Sequence, residues 1–576
     1  MTGKPTPEER IARLEQMLGP LEDPANPTGQ EALLDADARS EVLPALEKVL
    51  DACTWNAELV PEELGGRLSR MDVLGRVLRP VFRRDASAGF GYGLNCFFAA
   101  APVFSRGSDE QRTAVARILL DGGRVALVRQ ELAHGNNLLR GELTMTPRDA
   151  AAGGGYLLTG SKSVVVNASR ADGLVVFARM AGDEQRRYSM LLLDRRHLPP
   201  GRLVPLARQT TSGMPGAEFG GVRAQDCPVP ESALVGQPGD GYELSLRSSL
   251  VVRGLIPSVL LSAADTALRT VARCALRPRH GRSMLDVRHS RAVLAGAFLD
   301  LLMSDCLALV ATRALHLLPG QSSAVAAAAA YVAPKILAES MDALAAVLGE
   351  RSFAEEGDYR MFRKQVRDMP VTSLGHAGSA GRQVTLLPQL PFFARNSWFA
   401  DAEAPAALFR PHEGLPPLDL VEPALLADAD PLAATLVAGT DALEADPAGP
   451  ATLRFLARAH TAELAELREA FRAVPPGDRR ALADPHCFSL ADRYALLLAG
   501  AACLGVWRAA RDGAGGFLAD PAWPTAALYR LGRRLGLALP DRPAEAEERM
   551  LSELLSRTTA PRSYDLYATD LARWES

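Results

Sequence analysis

Few residues in this chain have a type and setting suited to chemistry. His376 stands in a glycine-rich stretch, Leu374-Gly375-His376-Ala377-Gly378-Ser379-Ala380. An imidazole with a reference pKa of about 6.5 can accept a proton near neutral pH, so a histidine there is a candidate general base. The same residue in the same loop is equally suited to a turn or a cap. Glu131 and Glu243 are weaker acid–base candidates that can also be structural carboxylates, and His134 can be a loop filler. Gly89-Phe90-Gly91-Tyr92-Gly93 alternates glycines but lacks the strand–turn–helix context of a dinucleotide-binding loop. The seven cysteines are scattered without a C-x-x-C pair, which argues against a zinc site and a disulfide framework; no metal ligand set is assigned. No Ser–His–Asp arrangement, H-E-x-x-H or P-loop is present.

The elements that must position these residues change character along the chain. At 576 residues it is long enough for three or four folded units. From about Pro7 to Gly122 apolar residues recur every three or four positions, as in Val42, Leu46, Val49 and Leu50, which predicts helices. Between about Arg124 and Val235 the texture shifts to short apolar or β-branched runs: Tyr156–Leu158, Ser163–Val166, Gly173–Ala178 and Tyr188–Leu193. Glycines and turn residues separate them, so an antiparallel sheet or barrel is expected, and the missing βαβ rhythm disfavours a Rossmann fold. Long helical patterns return at Leu244–Leu276, Val287–Leu317, Ser322–Leu348 and near Tyr359–Arg367, with Pro278, Pro319 and Pro370 at plausible ends. The expected organisation is a helical domain (1–123), a β domain (124–237), a helical bundle (238–402), a linker (403–430) and a further helical domain (431–576).

Composition narrows the function classes. The chain is 48% hydrophobic, 23% charged and 6% aromatic, which is ordinary for a globular protein and too apolar for a largely disordered one. A net charge of −4 provides no whole-chain basic field for nucleic acid or an anionic membrane, so neither is expected as a partner. Of 64 basic residues only five are lysines, a bias that needs no functional cause. The chain opens MTGKPTPEER, without a basic segment leading into an apolar run, and no stretch of 18 apolar residues occurs; the expected location is the cytoplasm.

Several separate blocks, in the order helical, β, helical, carry a resemblance. Leu59–Gly66 reads LVPEELGG, Ala126–Asn137 reads ALVRQELAHGNN, Tyr156–Asn167 reads YLLTGSKSVVVN and Arg273–Gly281 reads RCALRPRHG. Together these resemble the acyl-CoA dehydrogenase family over about residues 40–400. The additional helical domain is similar in layout to acyl-CoA oxidases and to some actinobacterial dehydrogenase-like proteins. The resemblance implies a mainly α fold with a central β domain: an α-helical N-terminal domain, a barrel-like middle domain and a C-terminal bundle, here with one more helical domain.

The same resemblance implies FAD between the β domain and the bundle, and α,β-dehydrogenation of an acyl thioester carried on CoA or an acyl carrier protein. Electrons would pass to an electron-transfer flavoprotein or to oxygen. Implied cofactor positions are Gln130, Glu131, Gly135, Asn136, Val164, Val166, Arg277, Gly378 and Ser379. Gln130 stands where relatives have a threonine, and Asn136 and Asn137 where they have Ser and Asp. Val164 and Val166 replace a tryptophan and a threonine beside the flavin, and valine cannot donate the hydrogen bond to N5 that a hydroxyl supplies. Arg277 matches an arginine that reaches the FAD diphosphate across a subunit interface. The family's catalytic glutamate aligns with His376, and the alternative glutamate site, just before Arg253, holds Val252. These departures suit a specialised, secondary-metabolism dehydrogenase; they also suit a scaffold that has lost flavin or base, or a flavin monooxygenase on the same fold. The extension implies a homodimer in place of the family's simpler tetramers.

Overall fold

The computed structural model describes residues 5–134, 137–182, 187–277, 283–354, 357, 359–373, 379–475, 477–513 and 515–573. Local chemistry starts the helices of the N-terminal region. Thr6 and Glu9 close a capping box on Pro7–Leu18, and Ser108 and Gln111 do the same for Asp109–Leu120. Helix Met71–Arg84 is buried along its whole length despite four arginines after Arg70. That is tolerable because carboxylates from other elements meet them: Arg76 pairs with Glu8, Arg79 with Asp305 and Asp565, and Arg83 with Glu15.

The glycine run noted above forms a π-helical turn, Gly89–Leu94, between Ala86–Ala88 and helix Asn95–Arg106. Its glycines are required by close approach. A Cβ on Gly89 would lie 2.5 Å from the Phe82 ring, and one on Gly93 would lie 2.8 Å from Trp55. The wide turn leaves Gly91 O free to accept a hydrogen bond from Asn167 Nδ2 at 2.8 Å, which ties the helical region to the sheet.

Among the described residues eight strands follow: β1 (Val125–Val128), β2 (Thr144–Pro147), β3 (Tyr156–Val166), β4 (Gly173–Met180), β5 (Tyr188–Asp194), β6 (Leu203–Leu206), β7 (Phe219–Val229) and β8 (Leu234–Val235). Their order is β6-β7-β3-β2-β4-β5-β8, with β1 also on β4. The sheet is mixed, not purely antiparallel, because β1 and β2 lie successively along β4 and run parallel to it. The sequence pattern suggested two short strands at 156–158 and 163–166. They are one strand, interrupted by register shifts against β7 at Leu158/Gly160 and Lys162/Val165. The second shift allows Val164 and Val166 to share a face while Val165 packs into the sheet's own apolar interior with Leu158, Leu174 and Val176.

The bundle comprises Gly241–Leu276, Arg288–Leu317, Ser322–Leu348 and Tyr359–Thr372, followed by the short helices Ala380–Leu386 and Leu390–Asn396. Pro370 lies inside Tyr359–Thr372, not at its end, and Pro278 lies outside the described residues. Among the described residues four helical segments, Gly241–Leu276, Arg288–Leu317, Ser322–Phe353 and Pro485–Arg511, are long and apolar enough to cross a membrane by length and composition. Here their most apolar stretches are 78–94% buried against other parts of the fold, which accounts for their hydropathy.

Residues 403–430 form a packed strap across the bundle. Leu408 and Phe409 are buried, Arg313 donates to the carbonyls of Ala407 (2.8 Å) and Glu413 (3.0 Å), and Arg247 donates to those of Val421 and Pro423. The strap ends on Asp430, a buried carboxylate that accepts from Trp398 Nε1 (2.8 Å) and Tyr494 Oη (2.7 Å) and so joins bundle, strap and extension. Helices Pro431–Glu444, Ala451–Arg472, Pro485–Arg511, Ala522–Leu535 and Ala544–Thr559 make up the extension. The tail after them turns back into the molecule: Tyr564 N donates to Asp265 (2.6 Å), Leu566 N donates to Asp305 (2.8 Å), and Arg76 lies 3.9 Å from the centre of the Tyr567 ring.

Candidate active site

A cavity of about 470 Å³ lies where the sheet, the π-helical turn and the bundle meet. Each wall comes from a different element. β3 supplies Val164 and Val166; the β1 end and the residues after it supply Leu127, Arg129 and Gln130; Phe90 and Phe98 come from the turn and the following helix. The first bundle helix contributes Tyr242, Ser249, Val252 and Arg253, and the segment Ser379–Thr385 closes the far side. Gln130 reaches its place through an isolated β-bridge with Val164, in which Val164 N donates to Gln130 O at 3.2 Å. Thus Gln130, Val164, Val166 and Ser379, four positions separated by up to 249 residues of chain, converge on one space. Ser379 also caps helix Ala380–Leu386, its hydroxyl accepting from Gly381 N at 3.3 Å.

Glu131 lies behind this wall and does not line it. Its carboxylate receives the Lys162 ammonium at 2.8 Å and the Glu142 backbone N–H at 3.1 Å, and both partners of the ion pair are buried. The pair fastens the Gln130 segment to β3, so the role visible for Glu131 is positional. Arg277 is exposed at the C-terminal end of helix Gly241–Leu276 and is not part of the cavity wall. His376, Gly135, Asn136 and Gly378 lie outside the described residues. Glu243 is paired with Arg247 on the helix surface, and His134 faces Glu142 at 3.3 Å. Among the described residues no group of three or more His, Cys, Asp or Glu side chains is arranged to hold a metal ion.

The electrostatics of the wall are one-sided. Arg129, Arg253 and Arg382 all line the cavity, and no described lining residue is acidic. Arg129 donates to the hydroxyls of Ser245 (2.9 Å) and Ser249 (3.0 Å), with its guanidinium carbon 4.6 Å from the Phe98 ring centre. Arg253 donates to Thr385 Oγ1 at 3.0 Å, and Arg382 to Ser373 O at 3.4 Å. Burial, then the charges of Arg253 and Arg382, push the Arg129 pKa down to about 10. Burial and then Arg253 bring Arg382 to about 10 as well, and burial lowers Arg253. All three remain cations at neutral pH. Val252, at the alternative base position, is buried and apolar. The three arginines went unnoticed as a group in the sequence because they lie far apart in a chain where arginine is everywhere.

The residues present fit a flavin. The Val164–Val166 face offers an apolar surface, and Gln130 offers donors for an acceptor-rich ring edge.

No family model matches the sequence. The human mitochondrial short-chain specific acyl-CoA dehydrogenase is 28% identical over 212 residues, which is 36% of this chain and 50% of that protein. A probable acyl-CoA dehydrogenase of Bacillus subtilis is 27% identical over 187 residues, 32% of this chain and 30% of its own. The chain therefore spans about half the length, or less, of these curated relatives. Among solved structures, an acyl-CoA dehydrogenase complexed with FAD from Bacillus anthracis superposes with a TM-score of 0.72 at 13% identity, over 97% of this chain and 96% of that one. That match takes in the extension, whereas the butyryl-CoA dehydrogenase of Megasphaera elsdenii, at a TM-score of 0.57 and 16% identity, covers 67% of this chain and 98% of its own. Over nearly the whole chain the protein has the fold of an acyl-CoA dehydrogenase, and over about a third of it the sequence is similar to curated acyl-CoA dehydrogenases.

Proposed function

We propose that the protein is an FAD-dependent dehydrogenase that introduces an α,β double bond into an acyl thioester carried on CoA or on an acyl carrier protein. The observation that supports this most directly is the convergence of Gln130, Val164 and Val166 with Val252, Arg253 and Ser379 on a single cavity between sheet and bundle. Among structural neighbours is a prolyl acyl carrier protein oxidase, AnaB, with a TM-score of 0.55 at 16% identity over 67% of this chain. This is a reason to keep a carrier protein beside CoA and to favour a specialised metabolic role. When bound, the flavin would supply hydride acceptance from the substrate β-carbon. The chain's own part would be to seat the ring edge against Gln130 and the Val164–Val166 face, to exclude water with Phe90 and Phe98, and to remove the α-proton.

That last task falls to His376 in this reading. No carboxylate is available among the described lining residues, and the chain that follows His376, from Ser379 to Thr385, lines the cavity. A neutral imidazole that becomes cationic beside a developing enolate is electrostatically favoured, so histidine can replace a carboxylate base. The test is direct. The purified protein is expected to show flavin absorption, and the flavin is expected to bleach with an acyl thioester in the absence of oxygen. His376→Ala should slow bleaching by about 100-fold or more, with His376→Glu restoring part of it. A colourless protein that takes up no FAD would sink the reading, and unchanged bleaching in the alanine variant would remove His376 as the base.

The extension supports a reading of the assembly. Its helix Pro485–Arg511 packs on the bundle helices Arg288–Leu317 and Ser322–Leu348. It thus covers apolar faces that would otherwise be available to another subunit, and a cytoplasmic homodimer is the corresponding proposal. Sedimentation is expected to give twice the chain mass, and a stable tetramer would refute it.

A further inference from the structure

Arg129 breaks a rule that the other deeply buried arginines among the described residues keep. Elsewhere deeply buried arginines meet a carboxylate: Arg79 meets Asp305 and Asp565, Arg269 meets Asp265, Arg313 meets Asp72, and Arg83 meets Glu15. Buried Arg129 and, beside it, half-buried Arg253 and Arg382 meet only hydroxyls and a carbonyl, and no ion pair reaches them among the described residues. The segments 135–136 and 374–378 beside them in sequence contain no Asp or Glu. The imbalance extends to individual atoms. Arg129 Nε, Arg253 Nε and Asn95 Nδ2 are buried donors without a partner, and all three residues line this cavity.

Three cations lining one space define the missing component: an anion rich in hydrogen-bond acceptors, as a planar carboxylate is for guanidinium groups. Like charges crowded in a partly desolvated site without a counterion destabilise it when empty, and a bound anion would relieve that cost. The neighbouring wall is apolar, with Phe98 under Arg129 and with Leu246 and Tyr242 from the first bundle helix. A ligand suited to both surfaces has a methylene stretch ending in a carboxylate.

We propose that the cavity takes an acyl group whose far end is a carboxylate, held by Arg129 together with Arg253 and Arg382, so that the substrate class is a dicarboxylic acyl thioester. The thioester half of this statement rests on the dehydrogenase reading above; the carboxylate half does not. The experiment is calorimetric titration of the protein as purified with succinate, glutarate and adipate, set against the neutral diamides of the same lengths and inorganic phosphate.

At least one diacid is expected to bind about ten-fold or more tightly than its diamide, and Arg129→Met is expected to remove that preference. Arg129→Lys, which keeps the charge, should retain part of it and guards against a methionine variant that fails to fold. Equal binding of diacid and diamide, or a preference untouched in Arg129→Met, would overturn the proposal. So would phosphate binding as tight as the best diacid with the same Arg129 dependence, because that identifies a general anion site. The readout needs no turnover. A colourless protein that still shows Arg129-dependent diacid binding would sink the dehydrogenase reading alone, whereas a yellow protein bleached by simple acyl thioesters without diacid preference would sink this one alone.

Discussion

Lys364→Met is expected to destabilise the protein by about 3–5 kcal/mol, enough to leave a marginal domain partly unfolded. Lys364 is 3% exposed, and its ammonium lies 2.8 Å from Asp85, 2.7 Å from Asp368 and 3.4 Å from Asp37. Burial alone would lower its pKa, but the three carboxylates reverse that and hold it well above the ordinary lysine value. Methionine fills nearly the same volume, so the loss is electrostatic: carboxylates left buried with Arg367 as the remaining nearby cation. Damage would reach the cavity. Asp368 Oδ1 accepts Met214 N at 2.7 Å, which fixes the loop before β7 and its Phe219, and Asp85 accepts Ser87 N at 3.0 Å just ahead of the π-helical turn that carries Phe90.

The pH dependence provides a second signature of the same cluster. For Asp368, burial acts to raise the pKa, but Lys364 and Arg367 outweigh it and hold the group below its ordinary value. A carboxyl depressed on folding stabilises the native state fully above its unfolded pKa, about 3.8, and the contribution is lost as pH falls through the folded value. In wild type, then, this contribution persists down to about pH 4. In Lys364→Met burial is opposed by Arg367 alone, the carboxylates take up protons earlier, and the penalty should be smaller at about pH 4.5 than at about pH 7.5. Urea unfolding of both proteins at the two pH values measures it. A penalty that is equal at both, or under 1 kcal/mol, would contradict the account.

The second large effect is expected at Arg79, whose five N–H groups are all engaged. Nε donates to Ser258 O (3.1 Å), Nη2 to Ser258 Oγ (2.9 Å) and Asp305 (2.5 Å), and Nη1 to Asp565 (3.0 Å) and, more distantly, Asp305 (3.3 Å). Arg79→Met should cost about 3–5 kcal/mol, because two buried carboxylates lose their cation at once. Arg79→Lys keeps the charge but cannot span Ser258, Asp305 and Asp565 together, so it should still cost about 2 kcal/mol. Both variants should release the tail beyond Thr559, which limited proteolysis would detect as early cleavage there. A tail that stays protected while overall stability falls would show that other contacts, such as Tyr564 with Arg269, hold it alone.

How much of this could be read from sequence differs between fold and site. The order of helical and β regions was legible because hydrophobic period changes near Arg124 and again near Gly241, a local property of the chain. The bulged continuity of β3 was not, since Gly160 has a left-handed backbone, φ +119°, and reads locally as a break. The strap was mistaken in character for a similar reason. Its prolines and aspartates read as a linker, but what orders it is carbonyl capture by Arg247 and Arg313 from distant helices. Gln130, Val164, Val166 and Ser379 could be singled out because they sit within recognisable strings, and the structure brings them to one cavity. Glu131 belongs to the same strings, and only the structure displays its partner, Lys162. The three cavity arginines had no local signal at all: their distinction is the partners they lack, a property that exists only after folding.

The position of the tail bears on how the molecule is made. Arg79 emerges from the ribosome 486 residues before Asp565, and Asp265 and Asp305 likewise precede the segment that satisfies them. Arg79 with Asp305 and Arg269 with Asp265 pair without the tail, so what awaits it is the remaining hydrogen-bonding capacity of these buried groups. Domain-by-domain folding on the nascent chain cannot finish under that constraint, and contacts of such long sequence separation close slowly. Residues 560–573 close this polar interior late: Asp265 and Asp305 gain their backbone N–H donors only when that segment is made, so chains truncated before it would carry an incompletely hydrogen-bonded interior.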